Sequence, residues 1–116
     1  MITPLEIKLR RAENLLEITF DDGSTASLPA EYLRVESPSA EVQGHSPDQR
    51  QLVPGKRHVS ITGLEPTGNY AIRLIFSDGH DTGIFSWDYL HRLGLEYAER
   101  WAKYSALLQE AGLKRD

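Results

Sequence analysis

Leu16-Glu17-Ile18-Thr19-Phe20-Asp21-Asp22-Gly23 returns, at a constant offset of 56, as Ile72-Arg73-Leu74-Ile75-Phe76-Ser77-Asp78-Gly79. In both stretches apolar residues fall on every second position, which puts them on one face of a half-buried strand. Both end on Asp-Gly, a pair that accepts the positive φ of a tight hairpin turn. After one extra residue the echo resumes, with Glu31-Tyr32-Leu33 against Asp88-Tyr89-Leu90. Each half therefore reads as strand, strand, Asp-Gly turn, strand, helix. Two copies are too few for a solenoid. The pattern predicts a pseudo-duplicated α+β domain, antiparallel, with two helical segments of which the longer is C-terminal. Convergent turn chemistry is the alternative, because Asp-Gly suits hairpins whatever their ancestry.

Outward from the first copy, Leu5, Ile7 and Leu9 alternate with Glu6, Lys8 and Arg10 and predict a leading strand. Ala12-Glu13-Asn14 reads as its turn. Thr25 to Leu28 forms the return strand, and Pro29 to Arg34 a short helical turn opened by a proline. Residues 35–55 then lose any period and fill with Ser, Pro and Gly. About 20 residues is long for a structureless loop in a compact domain, and such loops are functional or disordered.

The second copy is led by Val59 and Ile61, with a turn at Glu65-Pro66-Thr67-Gly68-Asn69. Tyr70, Ile72, Leu74 and Phe76 share one strand face. Ser86 is placed to cap a helix running from about Trp87 to residue 112. Along it Leu90, Leu93, Tyr97, Trp101, Tyr104, Leu108 and Ala111 form one apolar stripe. That stripe packs on the sheet as core or, since part of it fits a short heptad pattern, meets a second copy in a homodimer. Gly94 is the residue that could kink it.

The chain has 116 residues, enough for a single domain, 1–116. Its 40% hydrophobic and 26% charged residues are ordinary for an ordered core. No apolar run approaches the length of a membrane span, and Met1-Ile2-Thr3-Pro4 lacks the basic start of a signal peptide. The expectation is a soluble, cytoplasmic protein. There is no cysteine, which excludes disulfides, thiolate nucleophiles and every cysteine-containing zinc site. A net charge of −4, with scattered basic residues, argues against nucleic acid as partner.

No signature of nucleophilic, phosphate-binding, dinucleotide or zinc-protease chemistry is present. Ser37 and Ser39 precede His45 within one loop, but nearness in sequence does not make a triad. Asp78-Gly79-His80-Asp81 offers an imidazole and two carboxylates at a hairpin tip, a set suited to a divalent ion if His45 or a partner completes it. Solvated turn residues are the plainer reading. Trp87 and Tyr89 stand at the strand-to-helix junction near His80, as core or as a sticky surface beside the loop.

Three stretches together resemble a known family: Leu28 to Val42, followed by Gly44-His45; Gly68 to Leu74; and Asp78 to Leu90. They are similar to the gamma-butyrobetaine hydroxylase-like N-terminal domain family over about residues 5–95. In bacteria this domain also occurs alone, without known function. The resemblance implies a module that precedes an iron- and 2-oxoglutarate-dependent catalytic domain, or one fused to ATPases of iron–sulfur cluster assembly. In neither setting does it carry out the reaction. The dioxygenase version holds a structural zinc through a Cys-Pro-Cys-x-x-Cys motif and a later histidine. Aligned on Leu33-Arg34, those ligands fall on Ser37, Ser39, Val42 and His80, so the resemblance implies that the structural zinc is lost.

The leading expectation is thus a non-catalytic accessory or protein-interaction module. It would present residues 35–55 and the His80 hairpin to a protein partner, through Ser37, Ser39, His45, His80, Trp87 and Tyr89. The alternative is a metal-handling protein that holds iron or another divalent ion through His80, His45, Asp78 and Asp81, linked to iron–sulfur cluster assembly. An enzyme with its own active site ranks last.

Overall fold

The computed structural model describes residues 2–39 and 52–116. In chain order these form β1 (Pro4–Arg10), β2 (Leu15–Phe20), β3 (Thr25–Pro29), α1 (Ala30–Val35), β4 (Ile61–Thr67), β5 (Ala71–Phe76), β6 (Gly83–Ser86), α2 (Trp87–Leu95) and α3 (Tyr97–Glu110). Two antiparallel three-stranded sheets result, β1-β2-β3 and β4-β5-β6. The two echoed stretches are the central strands, paired on both sides. Their alternate residues make the core: Leu16, Ile18 and Phe20 from β2, with Ile72, Leu74 and Phe76 from β5, are all buried. Gly23 (φ 88°) and Gly79 (φ 91°) turn the chain at equivalent places.

The repeats hold each other reciprocally. After the extra residue the offset is 57, so Ser37 corresponds to Gly94 and Ala26 to Gly83. Ser37, just past α1 in the first repeat, packs its hydroxyl on Gly83 of the second sheet, where a Cβ would collide with it. Gly94, in α2 of the second repeat, packs on Ala26 of the first sheet, where a Cβ would stand 2.8 Å from the Ala26 Cβ. Each helix therefore reaches across to the other repeat's third strand. Between them, the Tyr32 hydroxyl donates to the Leu93 carbonyl at 2.7 Å in the buried centre. Valine at position 94 is expected to destabilise the fold by about 1–3 kcal/mol through overpacking. The check is a lower urea midpoint for Gly94→Val.

Three local expectations need correction. The single helix from about 87 to 112 is two helices, broken where Glu96 (φ −102°, ψ 14°) leaves helical geometry. The break lets α2 lie on β3 while α3 turns to lay Tyr104 and Leu108 against Val35. The apolar stripe still faces inward, with Leu90, Leu93, Tyr104 and Leu108 buried, Tyr97 and Trp101 half-buried and Ala111 exposed. Leu5 is 70% exposed because a register shift between Pro4 and Glu6 bulges it out of the β1–β2 ladder. Tyr70 is exposed as well, since β4 runs on through Pro66 and the turn moves to residues 68–70. Pro66 is tolerated there because β4 is an edge strand. The C-terminal tail returns to the body: the Gly55 and Arg57 amides donate to the Lys114 and Arg115 carbonyls, each at 2.9 Å.

Candidate functional site

The end of α1 and the β5–β6 hairpin bring four of the residues singled out by sequence into one place. The turn at Gly79 folds Asp78 back on its own hairpin, where Oδ1 accepts from the His80 amide at 3.1 Å. Its Oδ2 accepts from Arg34 Nε at 2.9 Å and from Lys56 Nζ at 2.6 Å. Burial pushes this carboxyl up, but the hydrogen bonds from Lys56, the His80 amide and Arg34 outweigh it and hold it at about 2. His80 is only 5% exposed, and its Nε2 lies 2.9 Å from Ser37 Oγ. The same Oγ accepts from the Ser39 amide at 3.3 Å, and Ser39 Oγ meets Thr82 Oγ1 at 2.6 Å.

The first repeat carries a counterpart. Asp22, equivalent to Asp78, accepts from the Ser24 amide at 2.9 Å and pairs with His91 Nε2 at 2.9 Å. His91 comes from α2 as Arg34 comes from α1. The Ser24 hydroxyl and amide hold this carboxyl at about 2, with His91 adding to them.

Ser37 and His80 thus stand at nucleophile–base spacing, yet Ser37 is fully buried and backs onto Gly83. A substrate has no approach to its oxygen. Asp81 points elsewhere, with Oδ2 at 3.5 Å from Arg73 and its carbonyl accepting from the same guanidinium. Trp87 is half-buried and donates from Nε1 to the Asn69 carbonyl. Tyr89 is half-buried too, its hydroxyl donating to the Glu36 carbonyl and its ring flanked by Arg92 and Arg100. His45 and Val42 lie outside the described residues.

The hairpin carboxylates are engaged by cations, and among the described residues no three His, Asp or Glu side chains converge to hold an ion. The zinc that the resemblance points to does not fit the donors present. Ser37 and Ser39 offer neutral hydroxyls where zinc takes thiolate, imidazole or carboxylate.

Beside this cluster lies a feature that sequence reading missed. A half-open groove of about 540 Å³ runs between the end of α1, residues 52–53 and α3. Val35, Leu52, Val53, Tyr104 and Leu107 give it apolar walls, with Glu36, Glu96, Glu99, Arg100 and Lys103 around them. Tyr104 fixes one wall by donating to the Val53 carbonyl at 2.6 Å. Arg100 fixes the other by bonding Glu36 at 2.9 Å and Glu96 at 2.7 Å. The signal available was the pairing of Leu107 with the Leu108 stripe: the extra leucine falls outside the inward face and is 41% exposed.

No curated protein matches the chain. Solved structures do. A protein solved in solution by NMR is 46% identical, matches 100% of this chain and 91% of its own, and superposes with a TM-score of 0.87. A second NMR structure is 43% identical over 99% of this chain and 86% of its own, with a TM-score of 0.85. A crystal structure from Acidithiobacillus ferrooxidans, of a protein of unknown function in the DUF971 family, is 46% identical. It covers 79% of this chain and 92% of its own, with a TM-score of 0.68. The family model described as gamma-butyrobetaine hydroxylase-like, N-terminal matches residues 7–91, from β1 of the first repeat into α2 of the second. With both repeats inside that match, the chain belongs to the gamma-butyrobetaine hydroxylase-like N-terminal family.

Proposed function

We propose that this domain is a non-catalytic protein-interaction module and that its partner docks in the groove between α1 and α3. The observation that carries the reading is the groove itself, apolar on its walls and rimmed by charge. Its three carboxylates, Glu36, Glu96 and Glu99, outnumber its two cations, Arg100 and Lys103. A partner segment that offers an aliphatic side chain to Leu107 and Val53, with a basic residue beside it, matches both features. Leu52 and Val53 belong to the turn-rich stretch that the sequence reads as functional or disordered, and these two residues contribute one wall of the groove. The buried state of Ser37 and His80 supports a structural rather than catalytic use of the hairpin. Metal handling through His80, Asp78 and Asp81 has less support, because Asp78 is neutralised by Arg34 and Lys56 and Asp81 lies against Arg73.

The test is quantitative binding to a partner isolated by affinity capture and then purified. Leu107→Glu is expected to weaken that complex by about 10-fold or more. Ile84→Glu, a comparably exposed site on β6 outside the groove, is expected to bind as the parent does. Equal affinity of parent and Leu107→Glu would sink the groove as the docking surface.

A further inference from the structure

At the position where the resemblance puts a zinc ion, this chain has a connected set of hydrogen-bonding side chains, and we infer that they form a metal-independent latch between the two repeats. The latch joins the end of α1 to the β5–β6 hairpin, residues 43 and 44 apart in sequence. Ser37 Oγ–His80 Nε2 and Ser39 Oγ–Thr82 Oγ1 are two of its links. Arg34 Nε–Asp78 Oδ2 is the third.

His80 Nε2 is committed to Ser37 in either tautomer. If the nitrogen carries a lone pair, that pair accepts the Ser37 hydroxyl proton. If it carries a proton, it donates to Ser37 and has no lone pair to give. Ser37 suits both cases, since it accepts the Ser39 amide and still has its own proton to place. Glycine at 83 is what lets the hydroxyl come in, because any Cβ there would occupy the space of Ser37 Oγ. A thiolate is larger and must stand about 2.3 Å from a zinc ion rather than at hydrogen-bond distance from the imidazole. The pocket is therefore shaped for a hydroxyl.

The first repeat shows that the arrangement is a latch and not an isolated contact. There α2 reaches the equivalent Asp-Gly turn through His91 and Asp22, as α1 reaches the second through Arg34 and Asp78. Ser24 stands where the second repeat has His80, so the imidazole–hydroxyl link is an addition to a shared plan. A domain closed in this way keeps its fold without metal supply and has no thiols for oxidants to attack.

Thermal unfolding of the full chain, with and without EDTA and with added ZnCl₂, tests the inference on the unaltered protein. The expected result is an unchanged Tm under all three conditions and no saturable shift of the His80 ring resonances by NMR. Ser37→Ala and His80→Gln are each expected to lower Tm by roughly 4 °C or more. The double variant should fall by less than the sum, because the two changes break one link. A Tm that drops in EDTA, a saturable zinc shift on His80, or strictly additive losses would each overturn it. The wild-type measurements decide the matter even if one variant fails to fold, and they are independent of whether the groove binds a partner.

Discussion

Phe20→Ala and Phe76→Ala are expected to weaken the fold by similar amounts, about 3–5 kcal/mol each. Each phenylalanine closes the inward face of a central strand just before its Asp-Gly turn, and each is essentially buried, at 0% and 2% exposure. Truncation removes a whole ring and leaves a cavity that a paired strand cannot collapse to fill. A domain of this size has a total stability of order 5–15 kcal/mol, so either change alone takes out a large part of it. The surroundings differ in one respect: Phe20 meets His91 edge-on at 5.0 Å, whereas Phe76 lies 5.9 Å from His80. If the two sheets are equivalent halves of one core, the urea-derived losses agree within about 1 kcal/mol. A large loss at one position beside a small loss at the other would show that only one sheet carries the core.

What the sequence made legible was whatever repeats at short range. The alternation through Leu16, Ile18 and Phe20, and again through Ile72, Leu74 and Phe76, located both central strands and their buried faces. Gly23 and Gly79 located the turns, and the positions of Ser86 and Trp87 located the start of α2. The echo between halves was visible, but not its spatial consequence. Nothing in the spacing says that Arg34 finds Asp78 while His91 finds Asp22, since those pairings exist only after the helices have crossed between repeats. Ser37, Ser39 and His80 were singled out first by residue type and then by the resemblance that aligned them, but neither reading showed that Ser37 and His80 meet at 2.9 Å. Gly94 hinted at a break, yet the chain leaves helical geometry two residues later at Glu96, and the glycine itself is needed where α2 packs on Ala26, far away in the chain. The return of the tail was equally hidden: Arg115 comes back to the buried Glu31, with bonds of 2.6 and 2.9 Å, and no periodic signal marks a single residue near a terminus. The groove combines Val35, residues 52–53 and α3, three segments with no shared pattern.

Acid is expected to loosen the contacts between repeats, and Asp78 carries the larger share. In the folded protein both Asp22 and Asp78 sit at about 2, below the ordinary 3.8. The folded state therefore holds these carboxylates deprotonated where the unfolded chain has begun to bind protons. Their stabilisation is fully present above about pH 4 and is lost as pH falls toward 2. For Asp78, sheltered between Arg34 and Lys56, the loss is about 2 kcal/mol at most, reduced by the solvent that still reaches it. Asp22 is more open, so added salt weakens its pairing with His91 more readily. Asp78→Asn should thus lower stability at pH 7 and flatten the decline of urea midpoint between pH 4 and 2, in low and high salt alike. Asp22→Asn should flatten it less, and mainly at low salt. An unchanged acid slope in Asp78→Asn would mean that other carboxylates govern acid unfolding, and that the Arg34–Asp78 pair is not a link that holds α1 to the second repeat.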